Sequence, residues 1–191
     1  ALFYLEKYTK NASKVTPEDY YILGYVQVQN NQCEKAISNL EHLSPLENAL
    51  GQNAMFLLGQ CYEKSGMKNE ARTAFLQVAR MNFDKTLQED AWFDYAKLSY
   101  ELGYTNDALV ALKNFVQTYP NSKFSIEANE LLADLFLMTR NYEEAMSIID
   151  KLPSKSEKLK EAYQKMAYFR AVENYNDYKF DAAEQFFNKS L

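Results

Sequence analysis

An alanine recurs along this chain at intervals of 35 to 38 residues, and this period limits the fold more than any other feature. A second small residue stands twelve positions before each of these alanines. Apolar residues flank every small residue at helical spacing, so each pair predicts two helices that cross closely where their side chains are smallest. The five pairs are Gly24 with Ala36, Gly59 with Ala71, Ala96 with Ala108, Ala133 with Ala145, and Ala171 with Ala183.

The larger residues around these pairs carry a family resemblance. A helical hairpin cannot bury all of its apolar surface alone, so consecutive hairpins are expected to stack into a solenoid. The spacing resembles the tetratricopeptide repeat, in which W-x2-L-G-x2-Y precedes A-x3-F and a later proline. The resemblance implies an all-α fold, a right-handed α-α superhelix of about five helix-turn-helix repeats after an N-terminal half repeat. Two repeats carry it best, with Met55, Leu58, Gly59, Tyr62, Ala71 and Phe75 in one and Trp92, Tyr95, Ala96, Ala108, Leu112 and Pro120 in the other.

The period predicts a single solenoid over residues 1–191. Because the pattern starts and stops inside a repeat, we expect the chain to be a fragment of a longer protein. The expected units are a half repeat at 1–14 and repeats at approximately 17–44, 48–82, 87–120, 124–153 and 158–191. Helix starts are predicted at the cap sequence Thr16 to Asp19, and at two capping boxes, Ser44 to Glu47 and Thr86 to Glu89. Turns with positive φ are expected at Gly66, Gly103, Asn30-Asn31 and Arg140-Asn141.

Charge and cysteine content exclude several classes of function. Lys and Arg number 21 against 26 Asp and Glu, the net charge is -5, and no basic stripe is present, which argues against binding nucleic acid. No run approaches the roughly 18 apolar residues of a membrane-spanning helix, so none is predicted in this fragment. Cys33 and Cys61 lack the spacing of a zinc site, and we expect two unpaired thiols.

Catalytic chemistry has little support in the sequence. The single histidine, His42, has no nucleophile in a recognisable motif, and it is expected on the surface. Paired acids at Glu89-Asp90 and Glu143-Glu144 open predicted helices, where acidic residues are common for structural reasons. No phosphate-binding glycine loop or metal motif occurs. We therefore expect no enzyme activity, no cofactor and no metal.

The family resemblance also implies where a partner would bind. In such proteins the first helices of the repeats line a concave groove that holds an extended peptide or a partner helix. Counting from the small residue of each first helix, groove positions lie three before it, one after it and four after it. The expected protein-binding groove is aromatic with an acidic patch, and its residues are Tyr21, Tyr25, Phe56, Phe93, Lys97, Tyr100, Glu130, Asp134, Tyr168 and Tyr175. The competing interpretation is that several of these aromatic rings pack against neighbouring helices.

Two further functions and two compartments stay open. The chain could instead serve as a spacer that self-associates through exposed repeat ends, or the aromatic groove could hold a carbohydrate. The basic and asparagine residues of a chaperone-tail clamp are missing, and Glu130 and Asp134 would suit a basic or polar segment. The joint Tyr119-Pro120-Asn121-Ser122 resembles a linker of tetratricopeptide proteins in the bacterial cell envelope. That resemblance implies a periplasmic or envelope-associated protein, with a cytoplasmic one as the alternative.

Overall fold

The computed structural model describes residues 2–12, 14–152 and 154–191. Within these ranges the chain forms eleven α-helices and one 3-10 turn, with no strand. The predicted all-α helical-repeat fold is confirmed. The helices are α1 Leu2–Asn11, α2 Pro17–Gln29, α3 Cys33–Leu40, α4 Ala49–Lys64, α5 Lys68–Arg80, α6 Lys85–Glu101, α7 Thr105–Thr118, α8 Ser125–Thr139, α9 Tyr142–Asp150, α10 Glu157–Asn176 and α11 Phe180–Lys189, and the 3-10 turn is Glu41–Leu43.

Helix α2 starts as its sequence predicts. The Thr16 hydroxyl accepts a hydrogen bond from the Asp19 amide at 3.2 Å, and the Asp19 carboxylate accepts one from the Thr16 amide at 2.9 Å. Pro17 occupies the first helical position, where its missing N–H has no intrahelical partner to lose. This reciprocal capping box fixes the entry to the first complete helical hairpin.

The two other predicted capping boxes are wrong. Ser44 follows the 3-10 turn in a helical conformation, and α4 is capped by Asn48, whose side-chain oxygen accepts from the Gly51 amide at 2.9 Å. Asp84 caps α6, since its carboxylate accepts from the Thr86 amide at 2.8 Å. Asn and Asp cap helices as well as Ser and Thr do. Asn48 and Asp84 therefore cap these two helices in place of the predicted Ser44 and Thr86.

The turns inside the hairpins use a left-handed residue, as predicted. Gly66 and Gly103 have φ of 78°, and Asn31 and Arg140 have φ of 56° and 57°. The turn between α10 and α11 has a left-handed residue that the sequence pattern did not predict, Tyr178, with φ of 61°. A tyrosine in this conformation bears a steric cost that glycine avoids.

The chain forms two compact units, residues 1–111 and 112–191, and the boundary falls within α7. Unit 1 contains α1 to α6, with α2 packed on α3, α4 on α5 and α5 on α6. Its glycines are needed at the crossings: a Cβ on Gly24 would lie 2.7 Å from the Leu40 side chain, and one on Gly59 would lie 2.9 Å from the Phe75 ring. Each glycine therefore meets the residue four positions after the repeating alanine, which brings the two backbones close together.

Unit 2 contains α8 to α11, and its core follows the same pattern. Helix α10 packs against α8, α9 and α11. All four small residues of its two repeats are buried, and they are Ala133, Ala145, Ala171 and Ala183. The single solenoid over residues 1–191 and its repeat boundaries stay predictions.

Candidate functional site

In unit 1, the expected binding positions on α2 form a pair of tyrosines. The rings of Tyr21 and Tyr25 stack with centroids 6.2 Å apart, and Tyr25 is 44% exposed while Tyr21 is half-buried. Burial raises the pKa of the Tyr21 phenol, and the neighbouring Tyr25 raises it further. The Tyr21 hydroxyl is therefore protonated at neutral pH, as an ordinary phenol is, and it can donate a hydrogen bond. The pair thus offers apolar ring faces and a neutral donor.

Two of the expected groove aromatics lie in the core. Phe56 is buried and meets the Phe75 ring edge-on at 5.7 Å between centroids, and Phe93 is 2% exposed. Helix α4 lies beside α2, α3, α5 and α6, so residues around most of its circumference are buried. Helix α6 also has several buried residues. The expectation that Phe56 and Phe93 line an open groove is wrong, and packing against neighbouring helices describes them.

The remaining expected positions of unit 1 lie on α6. Lys97 is half-buried, with its ammonium 5.9 Å from the centre of the Phe93 ring. Tyr100 is also half-buried. We call Tyr21, Tyr25, Lys97 and Tyr100 the unit 1 surface.

In unit 2, the expected acidic positions are already paired within the unit. The Lys158 ammonium lies 3.0 Å from a carboxylate oxygen of Asp134 and 4.0 Å from one of Glu130. The Ser156 hydroxyl also donates to Glu130 at 2.6 Å. Since the start of α10 lies beside α8, these contacts join the two helices and compensate part of the acidic charge that the sequence predicted to be available to a partner.

The expected tyrosines of unit 2 are open to solvent. Tyr168 is 51% exposed and Tyr175 is 58% exposed, both on α10. Each ring is held by a neighbour on α11: Tyr168 meets Phe187 edge-on at 5.9 Å, and Tyr175 meets Phe180 edge-on at 5.5 Å. Edge-to-face contacts of this kind are favourable and fix ring orientation.

Three other aromatic side chains extend this exposed cluster and were missed by the sequence reasoning. Phe169 adjoins Tyr168 and stacks on Tyr142, while Phe180 contacts both Tyr175 and Tyr178. Tyr178 is 82% exposed at the left-handed turn. Its signal is visible in the sequence, because a tyrosine stands at a turn position where two other repeats have glycine. We call Tyr168, Phe169, Tyr175, Tyr178 and Phe180 the unit 2 cluster.

A cavity of about 550 Å³ lies elsewhere in unit 1, and none of the expected groove residues lines it. Its apolar wall includes Met55, Leu58 and Ala74. On its polar side the Tyr62 hydroxyl donates to the Glu41 carboxylate at 2.7 Å. Burial, followed by this hydrogen bond, raises the pKa of the Tyr62 phenol.

Catalysis or metal binding would depend on the acidic residues, the cysteines and His42. In the part of the chain that the structure describes, no cluster of three or more His, Cys, Asp or Glu side chains could hold a metal ion. His42 is exposed and stacks on Tyr20, with ring centroids 4.2 Å apart. Among the described helices, none combines the length and apolar character that crossing a membrane requires.

Repeated helical hairpins that cross at small residues and leave aromatic side chains exposed define the class of helical-repeat scaffolds. Two family models match parts of the chain: "Anaphase-promoting complex, cyclosome, subunit 3" matches residues 1–78, and "Tetratricopeptide repeat" matches residues 90–122. Together with the solved structures below, these matches identify a protein with the tetratricopeptide-repeat fold. No curated protein matches the sequence.

Solved structures that resemble the chain have the same fold at low sequence identity. One is YrrB, a tetratricopeptide-repeat protein with an unusual peptide-binding site, at 17% identity and a TM-score of 0.57 over 97% of this chain and 89% of that chain. Another is MamA from Desulfovibrio magneticus RS-1, at 15% identity and a TM-score of 0.56 over 94% of this chain and 95% of that chain. The two family models and these structures do not support the resemblance to tetratricopeptide proteins of the bacterial cell envelope.

Proposed function

We propose that this chain is a non-enzymatic scaffold that binds a polypeptide segment through exposed tyrosines on the first helices of its repeats. Proteins with tetratricopeptide repeats generally mediate protein–protein interactions, and YrrB is a peptide-binding member of this fold. The observation that carries the proposal is the exposure of Tyr25, Tyr168 and Tyr175 at the predicted binding positions. Tyrosines are enriched among the residues that contribute most to protein interfaces.

The proposal uses only the expected positions whose side chains are not buried. Phe56 and Phe93 are excluded as anchors because their rings fill the core. The unit 1 surface retains its tyrosines and Lys97, and the unit 2 cluster contributes Tyr168 and Tyr175. Glu130 and Asp134 act as a polar rim whose charge is shared with Lys158.

The partner is proposed to be an extended peptide or an amphipathic helix with apolar side chains. Exposed rings offer flat apolar faces, and the tyrosine hydroxyls can bond the polar groups that accompany a peptide backbone. Because Lys158 compensates the carboxylates of unit 2, a strongly basic segment gains less there than the sequence predicted. The compartment stays a prediction, periplasmic or envelope-associated with a cytoplasmic alternative.

A selection from a random peptide library tests the proposal on the 191-residue chain. Peptides that bind would be synthesised with a fluorophore, and their dissociation constants would be measured by fluorescence anisotropy. Tyr25→Ala for a peptide bound at unit 1, or Tyr168→Ala for one bound at unit 2, should weaken binding about tenfold or more, the effect of losing an interface anchor. Phe83→Ala is the matched control, because this ring is 55% exposed in the turn between α5 and α6 and is not one of the proposed positions.

The same experiment separates the other functions. If no peptide is selected, or if all three variants lose affinity equally, the tyrosine assignment is wrong. Binding of a glycan array without peptide binding would favour the carbohydrate groove. Concentration-dependent dimerisation in light scattering without ligand binding would favour the self-associating spacer.

A further inference from the structure

The two cysteines, expected as unpaired thiols, lie next to each other in unit 1. Cys33 is the first residue of α3, and Cys61 lies in α4, one turn before its end. Their sulfur atoms are 2.7 Å apart. Helices α3 and α4 belong to consecutive hairpins, so this contact joins one hairpin to the next.

The separation of the two sulfurs is unusually small for packed thiols. A disulfide bond measures about 2.05 Å, so the sulfurs would need to approach by only roughly 0.7 Å more to bond. The two sulfurs therefore already lie close to bonding distance.

The two thiols differ in access. Cys61 is completely buried, while Cys33 is half-buried and lines a cavity of about 440 Å³ that also contains Lys35 and Lys64. Burial, and then the hydrogen bond with Cys33, raises the pKa of the Cys61 thiol. A thiol reacts as its thiolate, and reaction also requires access to the reagent. The external reagent therefore reaches the half-buried Cys33 first, and the buried Cys61 reacts only with the sulfur of Cys33.

We propose that Cys33 and Cys61 form a dithiol redox site that accepts a small anionic disulfide, of which oxidised glutathione is an example, and closes to an internal disulfide. Lys64 in the cavity wall supplies positive charge for a carboxylate of such a reagent, while Lys35 is paired with Glu6 at 3.3 Å and Glu34 lines the same wall. The internal bond would fasten α3 to α4 and so fix the packing of two consecutive hairpins.

The exchange takes two balanced steps. Cys33 gives its proton to water, and its sulfur attacks one sulfur of the external disulfide, so that a mixed disulfide forms and one glutathione thiolate leaves. Cys61 then loses its proton to water and attacks the sulfur of Cys33, and the second glutathione leaves as its thiolate. Two electrons pass from the cysteine pair to the external disulfide, and both glutathione thiolates take up the released protons.

Mass spectrometry of the 191-residue chain tests this site. After incubation with oxidised glutathione, the chain should lose the mass of two hydrogens, and a non-reducing peptide map should join Cys33 to Cys61. Cys61→Ser should instead retain one glutathione on Cys33, and Cys33→Ser should react more slowly by at least tenfold because its remaining thiol is buried. Circular dichroism would first establish that both variants retain the helical content of the parent.

Thermal unfolding supplies a second measurement. The oxidised chain should unfold about 5–10 °C above the reduced chain, because the bond closes a loop in the unfolded state. Two free thiols remaining after equilibration with excess oxidised glutathione would overturn the proposal. Glutathione retained on Cys33 in the unsubstituted chain would overturn the closure step, and a lower melting temperature on oxidation would overturn the inferred fastening of the hairpins.

Discussion

Gln52 is a buried amide that joins three helices of unit 1, and replacing it by methionine should lower stability markedly. It lies on α4 with no exposed surface. Its side-chain NH2 donates to the carbonyls of Asp84 at 3.1 Å, Met81 at 3.4 Å and Val78 at 3.5 Å, and its oxygen accepts from the Asp84 amide at 2.7 Å. These contacts hold the turn that connects α5 to α6.

The expected loss of stability depends on which backbone groups bonded to Gln52 have a second hydrogen-bond partner. The carbonyl of Val78 also accepts from the Met81 amide, and the carbonyl of Asp84 accepts from the Gln88 amide. The Asp84 N–H and the Met81 carbonyl rely on Gln52 among the hydrogen bonds of the described residues. An unsatisfied buried group costs about 1–3 kcal/mol, and both residues are half-buried, so Gln52→Met should lose about 2–4 kcal/mol in total.

Urea unfolding followed by far-UV circular dichroism measures this loss, in reducing buffer so that no cysteine cross-link contributes. Gln77→Met is the matched control, because Gln77 lies exposed on α5. The control should change stability by under about 0.5 kcal/mol, as surface substitutions usually do. The melting temperature of Gln52→Met should fall by roughly 5–12 °C. Equal stability of the two variants would refute the inference that the Gln52 amide holds this turn.

Three other substitutions probe the crossing, the aromatic turn and the buried phenol. Ala108 is fully buried, so Ala108→Leu should lower the free energy of unfolding in urea by about 1–3 kcal/mol. Ala49→Leu at the exposed start of α4 should lower it far less, and equal losses would contradict the helix crossing at Ala108. Tyr178→Gly should raise stability by about 0.5–1 kcal/mol because glycine adopts the left-handed turn freely, and no gain would contradict the assigned backbone strain. The raised pKa of Tyr62 means that the folded chain keeps a proton that the unfolded chain loses above about pH 10. Stability should therefore fall as pH rises above that value, and less steeply in Tyr62→Phe; an unchanged slope would contradict the raised pKa that burial and the bond to Glu41 cause.

The helix crossings could be predicted from sequence because small residues leave few alternatives. Gly24 and Gly59 each lie against a large side chain of the partner helix at a distance that admits no Cβ. The need for a small residue at the crossing arises within one hairpin, and it recurs in each repeat of the sequence. The left-handed turns at Gly66 and Gly103 were predictable for the same reason, since a single backbone conformation selects the residue.

The binding surface was only partly predictable, because exposure depends on neighbouring hairpins. Counting along a helix gives the direction of a side chain, and it placed Phe93 and Tyr168 in equivalent positions. Phe93 is nevertheless buried while Tyr168 is half exposed. Likewise, the pairing of Asp134 with Lys158 and the approach of Cys33 to Cys61 join residues from different hairpins. A repeat period does not encode such contacts, since they depend on the angle at which hairpins stack.

The two proposed binding surfaces differ in how much order they have before a partner arrives. On α2, Tyr21 and Tyr25 stack on each other within one helix. In the unit 2 cluster, Tyr168 and Tyr175 are each held edge-on by a ring of α11, and the turn residue Tyr178 contacts the same Phe180 as Tyr175. Binding costs less when side chains are already restricted, because less rotamer freedom is lost at the interface. Exposed rings that are ordered in this way, with a strained tyrosine beside them, favour a binding surface over incidental exposure. They make unit 2 the stronger of the two candidate surfaces.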